Sequence, residues 1–244
     1  MTSPFIPTLP ASGPDFTFQR TRIKICGLTR EEDIDAAVAA GVDAVGFVMY
    51  PSSQRFVTPE RAGELARRLP PFVTPVLLFV NAASADIAAA LEAVPNALLQ
   101  FHGDETPEEC LAAGRPFMRA ARIPLGDGME MTETAAPPFD LVKYANDFNQ
   151  AQAILLDAHV DGYGGGGKTF NWSLLPPNVN AHLVLSGGLT PANVTDGILQ
   201  VRPRAKTLAV DVSSGVEVAK GIKSAVKITQ FVAAVCAADE QLRN

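Results

Sequence analysis

Cys26 is the first residue whose type and position could support chemistry. In residues 23–26, two isoleucines alternate with Lys24 and Cys26, which is the period-two pattern of a β-strand. Gly27 ends this strand, and Thr29 occupies the position of a helix N-cap before three acidic residues. In parallel α/β proteins, ligands bind at the carboxyl ends of strands, where Cys26 would lie. Because a cysteine is more often a small buried apolar residue than a nucleophile or a base, Cys26 needs support from the rest of the chain.

Two carboxylates and an arginine also follow predicted strands. Asp157 and Asp211 each end an apolar run, and burial of such a carboxyl group favours the protonated form that a general acid needs at neutral pH. The alternative for both is a solvated loop residue or a helix cap. Arg55 could hold a carboxylate or a phosphate by two hydrogen bonds, or it could be an ordinary surface charge. His102 is left out of the predicted chemistry, because a single histidine in a loop is more often structural.

Two glycine-containing turns follow the last two predicted strands. Gly187 and Gly188 belong to the first turn, and Ser213, Ser214 and Gly215 form the second. Glycines let backbone N–H groups approach an anion closely, although they are also common in ordinary turns. Because barrels often place a phosphate between the seventh and eighth loops, the presence of both turns favours phosphate binding.

The stretch of residues 162–169 matches the nucleotide-binding pattern G-x-x-x-x-G-K-[ST]. Such a loop needs a long helix directly after Lys-Thr, since the helix N-terminus holds the phosphates. Here Pro176 and Pro177 leave too short a segment for that helix, and the loop begins several residues after its strand. We therefore predict a mobile lid with glycine hinges, in which Lys168 contacts an anion, rather than a nucleotide hydrolase.

These residues require a fold that brings the ends of the strands together. The chain contains about eight short apolar runs, nearly all separated by helical segments. Repeated βα units indicate a parallel sheet, and eight of them in roughly 220 residues predict a (β/α)8 TIM barrel, with a doubly wound open sheet as the rival. In the barrel, the polar residues that follow the strands converge on one face: Cys26, Arg55, Asn81, His102, Asp157, Gly187 and Ser213.

The predicted barrel is a single domain over residues 21–240. Residues 1–20 include four prolines and are expected to form a flexible tail. Residues 124–138 show no clear pattern, and residues 140–148 are expected to form a short helix. No apolar patch was identified on the barrel exterior, so we expect a monomer.

The composition argues against several classes of function. Twenty basic and twenty-six acidic residues give a net charge of −6, which disfavours general binding to nucleic acid or to an anionic membrane but allows a local cationic pocket. The three cysteines are odd in number and far apart, so neither a disulfide framework nor a metal site is expected, as suits a reducing cytoplasm. We find no run apolar and long enough to cross a bilayer, and residues 1–20 lack the features of a signal peptide.

Several motifs, taken in order along the chain, resemble those of one enzyme family. They occupy residues 24–27, 46–48, 51–55, 78–81, 100–104, 155–157, 164–169, 185–189 and 210–217. Together they resemble the phosphoribosylanthranilate isomerase family of tryptophan biosynthesis, in a match that runs from about residue 23 to residue 231.

The resemblance implies a (β/α)8 fold and an Amadori rearrangement that needs no cofactor. N-(5′-phosphoribosyl)anthranilate, a small phosphoribosyl substrate, is converted to 1-(2-carboxyphenylamino)-1-deoxyribulose 5-phosphate. Cys26 matches the family's general base and Asp157 its general acid. Arg55 matches the arginine at the anthranilate end of the substrate, Asp211 matches a polar contact there, and the two glycine turns match the phosphate site.

The implied roles are chemically consistent. Opening the ribose needs a proton on the ring oxygen, which a protonated Asp157 can supply. The resulting iminium acidifies the neighbouring sugar C–H, so a modest base suffices. The Cys26 thiolate could serve if a helix N-terminus or a cation lowers its pKa. Two alternatives stay open: a related isomerase of the histidine pathway, which would be expected to use two carboxylates, and a phosphate-sugar-binding barrel without turnover.

Three features depart from the family pattern. Ser224 stands where the family usually has Asp after the lysine, which leaves the contacts of the final loop open. Residues 127–149 are longer and more irregular than expected, and the N-terminal extension has no counterpart in the motifs.

Overall fold

Eight parallel strands close into a barrel in the computed structural model, which describes residues 20–124, 139–158 and 169–243. The strands are β1 (Arg22–Cys26), β2 (Ala44–Val48), β3 (Thr74–Phe79), β4 (Leu98–Phe101), β5 (Phe117–Ile123), β6 (Ala153–Ala158), β7 (His182–Leu185) and β8 (Thr207–Val212). Each strand pairs with the next along the chain, and β1 also pairs in parallel with β8, so the sheet has no open edge. The predicted (β/α)8 barrel is confirmed, and the doubly wound open sheet is wrong.

Helices follow most of the strands within the described ranges. They are α1 (Glu31–Ala39), α2 (Pro59–Ala66), α3 (Ser84–Ala93), α4 (Pro107–Ala112), α5 (Leu141–Asp147), α6 (Val194–Val201) and α7 (Ala225–Gln241). Between β6 and β7 the described residues contain a short 3-10 helix, Trp172–Leu174. A small antiparallel pair, β9 (Glu217–Ala219) and β10 (Ile222–Lys223), joins β8 to α7. Across the described ranges, no helix is long and apolar enough to cross a membrane.

Several sequence predictions concern the parts of the chain between these elements. The short helix expected over residues 140–148 is confirmed as α5, whose N-cap Asp140 accepts a hydrogen bond from the backbone N–H of Lys143 at 2.9 Å. The predicted lid, including Lys168, lies outside the described residues except for Thr169. Most of the predicted tail also lies outside them, as do residues 125–138.

Side-chain alternation along the strands divides the apolar residues into two groups. One group fills the barrel interior and consists of Val76, Met118, Ala120, Leu155 and Val184, with partly buried alanines and Leu98 packed against it. The larger group lies between the strands and the helices and forms the main core. Because alternate residues of a strand share a face, the interior face continues toward the carboxyl ends of the strands, where the polar residues begin.

The start of α1 differs from the prediction. Arg30, and not Thr29, is the N-cap residue, and no side chain caps the helix. The Thr29 hydroxyl donates instead to the carbonyl oxygen of Gly221 at 2.8 Å. Gly221 lies in the turn between β9 and β10, 192 residues further along the chain, so the local sequence could not indicate this competing acceptor.

A buried clasp joins the first strand to the last helix at the opposite end of the barrel. Just before β1, Thr21 donates to the Asp239 carboxylate from its backbone N–H at 2.7 Å and from its hydroxyl at 2.6 Å. Arg202 donates to the Thr21 hydroxyl at 2.6 Å. Hydrogen bonds to a charged group contribute more than neutral ones, so this clasp stabilises barrel closure.

Candidate active site

Cys26 ends β1 inside the barrel, and its side chain is only 5% exposed. Its sulfur lies beside Gly46 of β2: a Cβ placed on Gly46 would be 2.7 Å from the sulfur and 3.1 Å from the Lys24 Nζ. A side chain at residue 46 would therefore collide with the sulfur and crowd the ammonium, and glycine provides the space that they occupy.

Lys24 and Asp211 form a buried ion pair next to Cys26. The Lys24 Nζ lies 2.9 Å from the Asp211 Oδ1, and both side chains are almost fully buried. Burial opposes the charge on Lys24, but the Asp211 carboxylate and Cys26 outweigh it and raise the pKa of Lys24. The resemblance implied that Asp211 makes a polar contact at the anthranilate end of the substrate; in the structure its carboxylate binds Lys24 on the adjacent strand.

The ionisation of Cys26 reflects competing influences. Burial raises the pKa of the thiol, the Lys24 ammonium opposes this effect, and the Asp211 carboxylate adds to it. The net result is a pKa above the ordinary value of 9.0. The sequence analysis required a cation or a helix N-terminus that lowers the pKa of Cys26. A cation, Lys24, is present, but it does not bring the pKa below the ordinary value.

Asp157 ends β6 on the interior face and is bonded to a histidine that the sequence analysis set aside. The His102 Nε2 lies 3.0 Å from the Asp157 Oδ2, and the His102 Nδ1 lies 3.1 Å from the amide nitrogen of Gln100. The other Asp157 oxygen accepts from the backbone N–H of Ala158 at 3.0 Å. Since an amide nitrogen can only donate, the His102 Nδ1 accepts, and the Nε2 carries the proton that it donates to Asp157.

A sequence signal for His102 did exist. Gln100 and His102 alternate with the apolar residues Leu99 and Phe101, so both polar side chains point into the barrel while the apolar ones pack outward. Treating His102 as an isolated loop residue overlooked this period-two pattern.

Arg55 is held by an internal carboxylate. Its Nε and Nη2 donate to the two oxygens of Glu217, each at 2.8 Å, and its Cδ packs over Gly27. Lys223 donates to the same carboxylate at 2.7 Å. Burial would raise the pKa of Glu217, but the two cations outweigh it and lower that pKa. Arg55 is therefore not a surface charge, and the two donors suited to clamping a ligand already bind Glu217.

The two glycine turns lie against each other and against Asp157. Gly187 has a φ of +79°, and a Cβ on it would lie 2.8 Å from an Asp157 carboxylate oxygen. Gly188 also has a positive φ, of +63°. A Cβ on Gly215 would overlap the carbonyl oxygen of Leu189, so the turns after β7 and β8 pack directly together. Glycine is required at these positions by backbone conformation or by close approach.

Lys223 holds the second turn, residues 213–215, through two hydrogen bonds to Ser213. Its Nζ donates to the carbonyl oxygen of Ser213 at 3.1 Å and to the Ser213 hydroxyl at 3.2 Å. Ser214 begins a short 3-10 helix, Ser214–Val216. The structure thus brings the five residues of the predicted phosphate site together at one edge of the barrel mouth.

Ser224, which departs from the family pattern, is the N-cap residue of α7. Its side chain accepts from the backbone N–H of Lys227 at 3.3 Å. Serine and aspartate both cap helices by this bond, so the substitution preserves the local structure. Among the described residues, no group of three or more His, Cys, Asp or Glu side chains could hold a metal ion.

A closed parallel barrel with ionisable groups and glycine turns at the carboxyl ends of its strands is the architecture of a (β/α)8-barrel enzyme. The sequence model of the family described as N-(5'phosphoribosyl)anthranilate (PRA) isomerase matches residues 23–234. Because this match covers most of its length, the chain belongs to the PRA isomerase family.

Individual relatives agree with this assignment. The N-(5'-phosphoribosyl)anthranilate isomerase of Leptothrix cholodnii is 62% identical over 220 residues, which cover 90% of this chain and 93% of the relative. Monomers of the dimeric isomerase from Thermotoga maritima share 34% identity with a TM-score of 0.71, covering 89% of this chain and 99% of that one. A structure of phosphoribosyl anthranilate isomerase in complex with reduced 1-(o-carboxyphenylamino)-1-deoxyribulose 5-phosphate shares 36% identity with a TM-score of 0.70 and the same coverage.

Proposed function

We propose that the protein catalyses the isomerisation of N-(5′-phosphoribosyl)anthranilate to 1-(2-carboxyphenylamino)-1-deoxyribulose 5-phosphate, a step of tryptophan biosynthesis. The family match over residues 23–234 carries this conclusion, because it spans every strand of the barrel except the first residue of β1. The related isomerase that binds the reduced phosphate compound supports the same choice of substrate.

Asp157 and Cys26 divide the chemistry as acid and base. A protonated Asp157 gives its proton to the ring oxygen of the ribose, the C1′–O bond breaks, and the nitrogen lone pair forms the C1′=N iminium. The Cys26 thiolate then removes the proton on C2′, and the electrons of that C–H bond form a C1′=C2′ enolamine while nitrogen becomes neutral. Tautomerisation of the enol to the ketone completes the product. The interior positions of both side chains support these roles.

The remaining predicted site residues bind the two ends of the substrate. Arg55 faces the anthranilate carboxylate with the nitrogen that Glu217 leaves available, and Asp211 contributes a polar contact on the same side. The turns containing Gly187, Gly188, Ser213, Ser214 and Gly215 hold the phosphate through backbone N–H groups. Their close packing and the positive φ of the first two glycines support this role.

The two alternative functions, a histidine-pathway isomerase and a binding protein without turnover, explain fewer of the residues in the barrel mouth. A histidine-pathway isomerase would place a second carboxylate where Cys26 lies, and a binding protein would give no reason for an acid and a base in one barrel mouth. Anthranilate-containing substrates are fluorescent, and loss of emission on mixing with the purified protein measures isomerisation directly.

The deciding experiment measures this fluorescence with Cys26→Ala and Asp157→Asn. We expect each variant to lose about 10²- to 10⁴-fold in kcat, the usual contribution of a general acid or base, with an unchanged circular dichroism spectrum. Cys236→Ala is the matched control, since Cys236 is an exposed cysteine on α7. A Cys26→Ala protein with a near-normal rate would refute the base assignment, and a parent protein without turnover would refute the function.

Two further proposals concern the context of the reaction. We propose that the protein acts in the cytoplasm, which suits its three free cysteines, and that it is a monomer of 25.8 kDa. The related isomerase from Thermotoga maritima is described as dimeric, so the oligomeric state needs its own measurement. Cell fractionation tests the location, and sedimentation equilibrium giving twice the monomer mass would refute the monomer.

A further inference from the structure

Lys24 has no role in the reaction as derived so far, yet it lies in the interior of the barrel beside the proposed base. It is 4% exposed and points inward from the same strand as Cys26. Its Nζ bonds the Asp211 carboxylate at 2.9 Å and lies close to the sulfur of Cys26, since both atoms border the space above Gly46. Gly46 leaves the space in which the sulfur and this ammonium meet.

The charged groups around Cys26 come from four parts of the chain. Lys24 lies on β1, Asp211 on β8, Glu217 and Lys223 on the β9–β10 pair, and Arg55 in the loop after β2. These three cations face two carboxylates, so the cluster carries one positive charge in excess when Cys26 is a thiol. A thiolate at residue 26 would balance it.

Among these cations, Lys24 is the one whose ammonium shares the space beside Gly46 with the sulfur. Arg55 and Lys223 share the Glu217 carboxylate, and they affect Cys26 by charge at a distance. Asp211 cannot itself stabilise a thiolate, since both are anions, but its bond holds the Lys24 ammonium in place between the two strands.

We propose that Lys24, held by Asp211, is a positioning residue whose ammonium stabilises the Cys26 thiolate that accepts the substrate proton. The proposal rests on the proposed role of Cys26 as the base. When the thiolate takes the C2′ proton it becomes a neutral thiol, and the Lys24 ammonium is then balanced by Asp211 alone. The electron pair of the C2′–H bond forms the C1′=C2′ bond, and the π electrons of the iminium return to nitrogen.

The test is a titration of the Cys26 thiolate by ultraviolet absorbance in the protein without substrate, with the Cys26→Ala spectrum subtracted. Lys24→Met removes the ammonium and should raise the pKa of Cys26 by about 1 to 3. Asp211→Asn removes the opposing anion and should lower it. If Asp211 contacted only the substrate, Asp211→Asn would leave this titration unchanged. The variant therefore distinguishes a substrate contact from an effect on the ionisation of Cys26.

Lys24→Met alone leaves the Asp211 carboxylate buried and unpaired, so a second variant protects the test from a failure to fold. The double variant Lys24→Met/Asp211→Asn removes both charges. It should raise the pKa of Cys26 above that of the parent, but by less than Lys24→Met does. In each variant, the pH dependence of kcat should shift in the same direction as the pKa of the Cys26 thiol. A purely structural role for Lys24 would not link these two measurements.

The outcomes distinguish the two proposals. If the double variant titrates like Asp211→Asn, Lys24 does not control the thiolate and this inference is wrong. If it titrates as expected but Cys26→Ala retains activity, then the effect of Lys24 on the sulfur stands and the assignment of Cys26 as the base fails.

Discussion

The two sides of the barrel mouth are built from different kinds of groups. We call one side the Cys26 wall, which consists of Lys24, Cys26, Arg55, Asp211, Glu217 and Lys223. We call the other side the Asp157 wall, which consists of Gln100, His102 and Asp157. The first wall carries cations and carboxylates in close pairs, whereas the second surrounds a single carboxyl group with neutral donors.

This difference corresponds to the two proposed roles. A base that must act as an anion in a buried site needs cations close by, and each of those cations needs a carboxylate to be tolerated there. A group that cycles between acid and carboxylate is better served by neutral donors, because a permanent cation would hold it in the ionised form. The contrast can be tested by removing one member from each wall.

The largest effect on stability is expected from the Cys26 wall. Glu217→Gln removes the carboxylate that holds both Arg55 and Lys223, and it should lower the free energy of unfolding by about 3 kcal/mol or more, because two buried cations lose their partner. Urea unfolding measures the change. Glu64→Gln, which breaks an exposed pair with Arg61, is the control and should cost less than about 1 kcal/mol. Equal losses in the two variants would contradict the charged character of this wall.

In the Asp157 wall we expect an effect on rate more than on stability. His102→Asn removes the donor 3.0 Å from the Asp157 carboxylate, and kcat should fall about 10- to 100-fold with little change in KM. The matched control is His182→Asn, because His182 begins β7 at the opposite end of the barrel and bonds Thr207. An unchanged kcat in His102→Asn would show that the histidine is only structural.

The smallest expected effect is the response of the Cys26 wall to alkaline pH. The folded pKa of Cys26 lies above its ordinary value of 9.0, so its contribution to stability is complete below that pH and is lost as the pH rises through the folded pKa. As the pH rises above 9.0, Cys26→Ala should therefore lose less free energy of unfolding than Cys236→Ala. Parallel curves for the two alanine variants would contradict the raised pKa.

The sequence alone could predict the barrel and the ends of the strands at which chemistry occurs. Period-two patterns and alternating helical segments indicated eight βα units, and that fold placed Cys26 and Asp157 on one face. The same period-two pattern in β4 also predicts that the side chains of Gln100 and His102 face the barrel interior. These features are local, so they can be recognised in a short stretch of sequence.

The pairings could not be predicted in this way. Lys24 meets Asp211 across 187 residues, Arg55 meets Glu217 across 162, and Thr29 bonds Gly221 across 192. Each of these contacts depends on the register in which the barrel closes and on the packing of its loops. No local pattern specifies these two properties, which is why the partner of Arg55 was not predicted and Thr29 was predicted as a helix cap.

The clasp formed by Thr21, Asp239 and Arg202 has a consequence for engineering. It brings the start of the first strand and the end of the last helix together on the face remote from Cys26 and Asp157. Linking those two points and opening the backbone at another loop should give a circular permutant that still encloses the sugar. A second enzyme fused at either point would leave the entrance for substrate unobstructed.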